Sequence, residues 1–136
     1  MLKITAAAMR VMTEHAERDY PNEACGYLAG TGDTITQAFP VANAAASPTW
    51  YEMDPGEQLK TQKQIRQEKL EHLAVYHSHV ATEAYPSPRD IERATAIQDF
   101  YGGYYLLVTL KDQGRPRARA FTIRDGNVTE QHLEEV

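Results

Sequence analysis

The chain has 136 residues, 42% apolar and 24% charged, with a net charge of -5, which suits one folded domain with a core and excludes a disordered chain. The acidic balance argues against nucleic acid or an anionic membrane surface as partner, and no apolar run approaches membrane-spanning length. One cysteine excludes an internal disulfide, and Met1-Leu2-Lys3-Ile4-Thr5 shows no signal-peptide pattern and leads directly into a helix, so the expected location is the cytoplasm.

Ile4, Ala8, Val11, Met12 and His15 fall on one face of a helix predicted from about Thr5 to Arg18, with Thr5 as cap and Ile4 stapled to Met9. Asp19-Tyr20-Pro21-Asn22 ends it, and His15 reads as a packed helix residue. Glu23 to Ala29 reads as a strand, Gly30-Thr31-Gly32-Asp33 as a turn, and Thr34 to Val41 as the hairpin partner, with Pro40 at a bend or an edge. Ala42 to Trp50 is small and polar and reads as a loop. Tyr51-Glu52-Met53 makes a short strand. Asp54-Pro55-Gly56-Glu57 has the form of a helix start, and that helix runs to about Leu70 on a narrow seam of Leu59, Ile65 and Leu70.

Leu73-Ala74-Val75-Tyr76 suits a buried strand, and His77 and His79 follow it. Strand side chains alternate, so these two imidazoles share a face and Ser78 points the other way, with no chemistry assigned to it. Ser87 to Asp99 is a second capped helix, with Pro88 at its first position and Asp90 at N3. Asp90 can fold back toward the histidines. Two His and one carboxylate, with the fourth position left to water, form the ligand set of a catalytic zinc. The capped start alone also explains Ser87 and Asp90, and the two readings are compatible. Phe100-Tyr101-Gly102-Gly103 is a turn, where Tyr101, Tyr104 and Tyr105 read as core and rim packing in preference to ligand contacts. Tyr104 to Leu110 is a strand buried on both faces, Arg117 to Ile123 another, and Asp125-Gly126 a hairpin turn into Asn127 to Leu133. The elements add up to a mixed α/β domain with one curved sheet and flanking helices.

The run His77-Ser78-His79-Val80-Ala81-Thr82-Glu83-Ala84-Tyr85-Pro86-Ser87-Pro88-Arg89-Asp90 resembles the signature of the JAMM (MPN-plus) metalloproteases: H-S/T-H, seven residues, S, two residues, D. Pro21-Asn22-Glu23-Ala24-Cys25-Gly26-Tyr27-Leu28-Ala29-Gly30 is similar to that family's N-terminal block. The likeness spans roughly Ile4 to Thr109, and Val80 departs from it where many members carry Pro. It implies a single JAMM/MPN-plus domain over 1–136, with the cytidine-deaminase-like α-β-α sandwich of the MPN/JAB fold. It further implies one Zn2+ per chain held by His77, His79 and Asp90, Glu23 as general base, and Ser87 as oxyanion donor.

The implied activity is hydrolysis of a peptide or isopeptide bond. Small prokaryotic members point to a ubiquitin-like or sulfur-carrier protein with a Gly-Gly end as substrate; a homodimer is left open. Three alternatives are a non-catalytic MPN scaffold, a zinc amidase on a small molecule, and a cysteine hydrolase using Cys25. On its own Cys25 reads as a small buried hydrophobe on the Glu23 side of its strand.

Overall fold

The computed structural model describes residues 1–112 and 114–136. The chain forms β1 (Leu2–Ile4), α1 (Ala6–Asp19), β2 (Cys25–Thr31), β3 (Thr34–Val41), α2 (Pro55–Gln67) and β4 (Glu71–His79). It continues as α3 (Pro88–Ala96), β5 (Tyr104–Thr109), β6 (Arg117–Arg124), β7 (Asn127–Gln131) and β8 (Leu133–Glu135). The strands make one mixed sheet in the order β7-β6-β5-β4-β2-β3-β1-β8. Its two outer strands follow each other in sequence, separated by His132 alone, so the curved sheet nearly closes.

The expectation that the chain runs straight into a helix is corrected here. Leu2, Lys3 and Ile4 form a strand that pairs in parallel with β3 on one side and β8 on the other. Thr5 caps α1 as expected, its side chain accepting from Ala8 N at 3.2 Å. Ala8, Met12, His15 and Ala16 are the buried face of α1, whereas Val11 is 40% exposed and lies off it. The β2–β3 hairpin turns on Gly32-Asp33, the β6–β7 hairpin on Asp125-Gly126, and the latter two residues both have positive φ, as a tight primed turn requires. Pro40 lies on β3 beyond the reach of β1, which pairs only with Thr34 and Ile35, so its missing N–H costs the sheet nothing on that side.

The other boundaries moved for local reasons. Helix α2 stops short of Leu70 because Lys69 adopts φ 57°, and Lys69 N and Leu70 N turn back to Arg66 O and Ile65 O. Helix α3 ends at Ala96, before the expected Asp99; beyond it Gln98 pairs with Asp125 of the β6–β7 turn through two 2.7 Å hydrogen bonds. Tyr51 to Met53 is not a strand; Met53 makes one isolated bridge to Asn43.

Alternation along β4 divides the core. Ala74 and Tyr76 join Leu28, Leu106, Val108 and the buried face of α1 in one layer. On the opposite face Val75 packs with Tyr27, Phe39 and Ile65 of α2, and with Tyr105 and Ala94 of α3. The result is an α-β-α sandwich, with β4 and β5 buried on both faces. His77 and His79 continue the Val75 register and therefore open on the α2/α3 face.

Candidate active site

The candidate side chains gather where the C-terminal end of β4 meets the N-terminus of α3. His77, His79 and Asp90 place one ligand atom each within 4.8 Å of one another. Nε2 of His77 and Nε2 of His79 are each 3.1 Å from Asp90 Oδ2. Asp90 is held there by a full capping box: Ser87 N donates to Asp90 Oδ2 at 2.9 Å and Asp90 N donates to Ser87 Oγ at 3.1 Å. The local helix signal and the ligand geometry are thus one construction.

His79 Nδ1 lies 2.8 Å from the carbonyl oxygen of Glu83, which can only accept, so Nδ1 carries a proton. In a neutral ring Nε2 then presents its lone pair to a carboxylate oxygen, and that meeting demands a cation between them, a proton or a metal. Burial raises the cost of the Asp90 charge, but the hydrogen bonds from His77 and His79 outweigh it and hold the carboxyl far below the usual carboxylate range. Burial pushes the His77 imidazole down, so it favours the neutral form that ligates metals. For His79 burial acts in the same direction but is overcome by the Asp90 hydrogen bond, and its pKa rises. These donor atoms, their burial and their protonation preferences fit a divalent metal of the zinc type.

Glu23 is 4% exposed and lies two residues before β2, which begins at Cys25 and not at Glu23 as expected. Burial pushes its carboxyl up to about 7, with the nearby His79 charge partly offsetting this. Its Oε1 is buried without a hydrogen-bond partner among the described residues. The backbone around it is clamped: Glu23 N donates to Ser47 O at 2.9 Å, and Asn43 Nδ2 donates to Glu23 O at 2.9 Å.

Ser78 supplies the third clamp, a role that the sequence reading did not give it. It does point away from the histidines, and there its Oγ accepts from Ala24 N at 2.8 Å while its N–H reaches Ala24 O at 3.0 Å. The residue between the two histidines therefore fixes the segment that carries Glu23. Ser78→Ala strands the buried Ala24 N–H and should cost about 1–3 kcal/mol in urea unfolding. Metal content should not change and turnover should fall; a variant as stable as wild type would show the clamp to be dispensable.

Alternation could have pointed to Ser78, but nothing local marks Asn43 or Tyr51. The Tyr51 ring stacks on His77 at 4.6 Å between centroids.

Two residues stand apart from this chemistry. His15 Nδ1 lies 2.7 Å from Tyr76 Oη and His15 Nε2 3.0 Å from Asp19, on the α1 face, as its packing assignment expects. Cys25 pairs in register with His77, but its thiol is buried and burial pushes it up to about 12. A thiol so rarely ionised is a poor nucleophile, which removes the basis for a cysteine hydrolase.

A mixed sheet presenting H-x-H at a strand end, met by a capping-box Asp, with a buried carboxyl close by, is the arrangement of a peptidase of the JAMM type. Comparison with known proteins agrees. The family described as prokaryotic homologs of the JAB domain matches residues 5–124. The chain is similar to the CysO-cysteine peptidase of Mycobacterium tuberculosis, 41% identical over 138 residues, covering 100% of this chain and 92% of that one. It is 37% identical over 128 residues to the desampylase of Haloferax volcanii, covering 89% and 88%. The solution structure of protein DSY2949 from Desulfitobacterium hafniense superposes with a TM-score of 0.86 at 34% identity, covering 100% and 93%. The chain belongs to the prokaryotic JAB family. Among the described residues, no helix is long and apolar enough to cross a membrane.

Proposed function

We propose that the chain is a zinc-dependent hydrolase that cuts a peptide or isopeptide bond at the Gly-Gly tail of a ubiquitin-like or sulfur-carrier protein. The observation that carries this reading is the Glu23 carboxyl, buried, with its Oε1 unpartnered among the described residues, pushed by burial up to about 7, and near enough to His79 and Asp90 to feel their charges. A group with those properties is matched to general-base work at physiological pH. The names of the relatives, a CysO-cysteine peptidase and a desampylase, fit a protein-tail substrate.

His77, His79 and Asp90 would hold the metal. Zinc, when bound there, supplies a Lewis acid that polarises a carbonyl and acidifies water. Glu23 takes the proton of the attacking water and passes it to the leaving amine. Ser87 Oγ already accepts from Asp90 N, but a hydroxyl can accept one hydrogen bond and donate another. Its proton remains available for the oxyanion that forms as water adds to the carbonyl.

Elemental analysis of wild type and of His77→Ala, both purified without added metal, tests the site. The expected result is about one zinc per wild-type chain and none in the variant. Carrier proteins extended past Gly-Gly are then offered as substrates. A wild-type chain that takes up no metal even when zinc is supplied would leave a scaffold as the better account.

A further inference from the structure

The end of β5 holds His79 twice. In the sheet His79 pairs with Thr109, and Leu110 N donates to His79 O at 2.9 Å. The second hold is on the ring, and it runs through the loop after β4. His79 Nδ1 meets Glu83 O, which also accepts from Tyr85 N at 2.8 Å, so both lone pairs of that carbonyl are engaged.

The aim of Glu83 O depends on what fixes the chain on either side of it. The Glu83 carboxylate pairs with Lys111 Nζ at 2.7 Å, but both side chains are exposed, and such a screened pair holds a loop weakly. The neighbours of Glu83 are held more firmly. Ala84 is buried with Leu107 and Phe121. Thr82 O accepts from the hydroxyl of Thr109, a side chain only 4% exposed. Lys111 N donates to Thr109 Oγ1 at 3.1 Å, so the single hydroxyl proton is directed to Thr82 O. The peptide from Thr82 to Glu83 is planar, and anchoring its oxygen orients the chain as it enters Glu83.

This matters because the two neutral tautomers of His79 do opposite things. With the proton on Nδ1, Nε2 offers a lone pair to a metal. With the proton on Nε2, the ring donates to Asp90 Oδ2, 3.1 Å away, and the lone pair is lost to the metal. The second form satisfies the Asp90 carboxylate and competes with metal binding. A carbonyl oxygen fixed 2.8 Å from Nδ1 weighs against it, since a bare Nδ1 would set two lone pairs face to face.

We propose that Thr109 is a positioning residue of the metal centre: its hydroxyl fixes the Thr82–Glu83 peptide, Glu83 O thereby keeps a proton on His79 Nδ1, and Nε2 stays free for the metal. The inference rests on the zinc-hydrolase reading above and deepens it. Partners that orient a ligand in this way are worth about 10–100-fold in metal affinity.

The test compares the full chain with Thr109→Val, which keeps the shape and loses the hydroxyl, and with Thr109→Ser, which keeps the hydroxyl. Zinc affinity is measured by competition with a chromophoric chelator. Thr109→Val should bind zinc about 10–100-fold more weakly, and Thr109→Ser should recover most of the loss. The second readout is the Nδ1 proton of His79, followed by NMR in the metal-free protein. It should be protected from exchange in wild type and in Thr109→Ser and lose that protection in Thr109→Val. A merely structural hydroxyl would lower the urea midpoint and leave both readouts unmoved. Wild-type zinc affinity in Thr109→Val, or a Thr109→Ser chain as weak as Thr109→Val, would overturn the assignment. If wild type takes up zinc and all three chains bind it alike, this inference falls and the zinc-hydrolase reading stands. If wild type takes up none, yet the Nδ1 proton loses protection in Thr109→Val alone, that reading falls and the hold of Thr109 on His79 stands.

Discussion

Glu23→Gln should keep about one metal per chain and lower turnover by roughly a hundred- to ten-thousand-fold, the usual worth of a positioned general base. The amide has the shape of the carboxylate but cannot take the water's proton. The same substitution should stabilise the metal-free protein. In the fold, burial raises the Glu23 pKa to about 7, whereas the unfolded chain ionises with an ordinary carboxylate. Ionisation therefore favours unfolding, and wild-type stability declines as pH climbs from the ordinary carboxylate value through about 7. Gln does not titrate. The variant should match wild type near pH 4 and exceed it by about 1–3 kcal/mol near pH 8, in urea titrations with chelator present. The active site would then be a place where stability is given up for reactivity. Loss of metal from Glu23→Gln would instead make Glu23 a ligand and refute its role as base.

A large effect on folding is expected from Gly26→Ala. A Cβ at this position would lie 2.4 Å from Tyr76 Cε2 and 2.5 Å from the carbonyl oxygen of Phe39. Neither can give way cheaply. Phe39 O belongs to the backbone of the neighbouring strand, and Tyr76 is fully buried with its hydroxyl held by His15. The strands must part, at a cost of roughly 3 kcal/mol. Gly26 pairs with Tyr76, and the adjacent pair is Cys25 with His77, so the shift passes directly to a proposed metal ligand. The urea midpoint should fall and zinc affinity with it. An unchanged midpoint would mean that the Tyr76 ring swings aside freely.

What could be read from the sequence was what is local. The two histidines share a face because they are two apart on a strand, and Ser87 with Asp90 announces a helix start within four residues. Glu23 is different: its position alone marks it as an ordinary strand-end residue, and only the likeness of its surrounding block to a known family singled it out. The strand at Leu2–Ile4 was missed because three residues carry too little pattern and both partners lie far away in sequence. Val11 was misplaced since its spacing suits the apolar stripe, yet among the described residues no element covers it and it is 40% exposed. The direction of Ser78 followed from alternation, but the Ala24 backbone that it meets belongs to another strand, and no periodicity reports such a meeting. Likewise the Thr109 hydroxyl and the Thr82 carbonyl that it meets lie far apart in sequence, and only the tertiary arrangement joins them.

The pairing of Leu2 with Leu133 bears on how the molecule is made. During synthesis β1 is made long before β8, yet β8 is one of its two neighbours. β1 meets β3 over only two register pairs, so until β8 arrives its outer edge stays open to any passing strand. The edge of β1 is thus exposed to wrong pairing until β8 has been made, and the sheet can be finished only then.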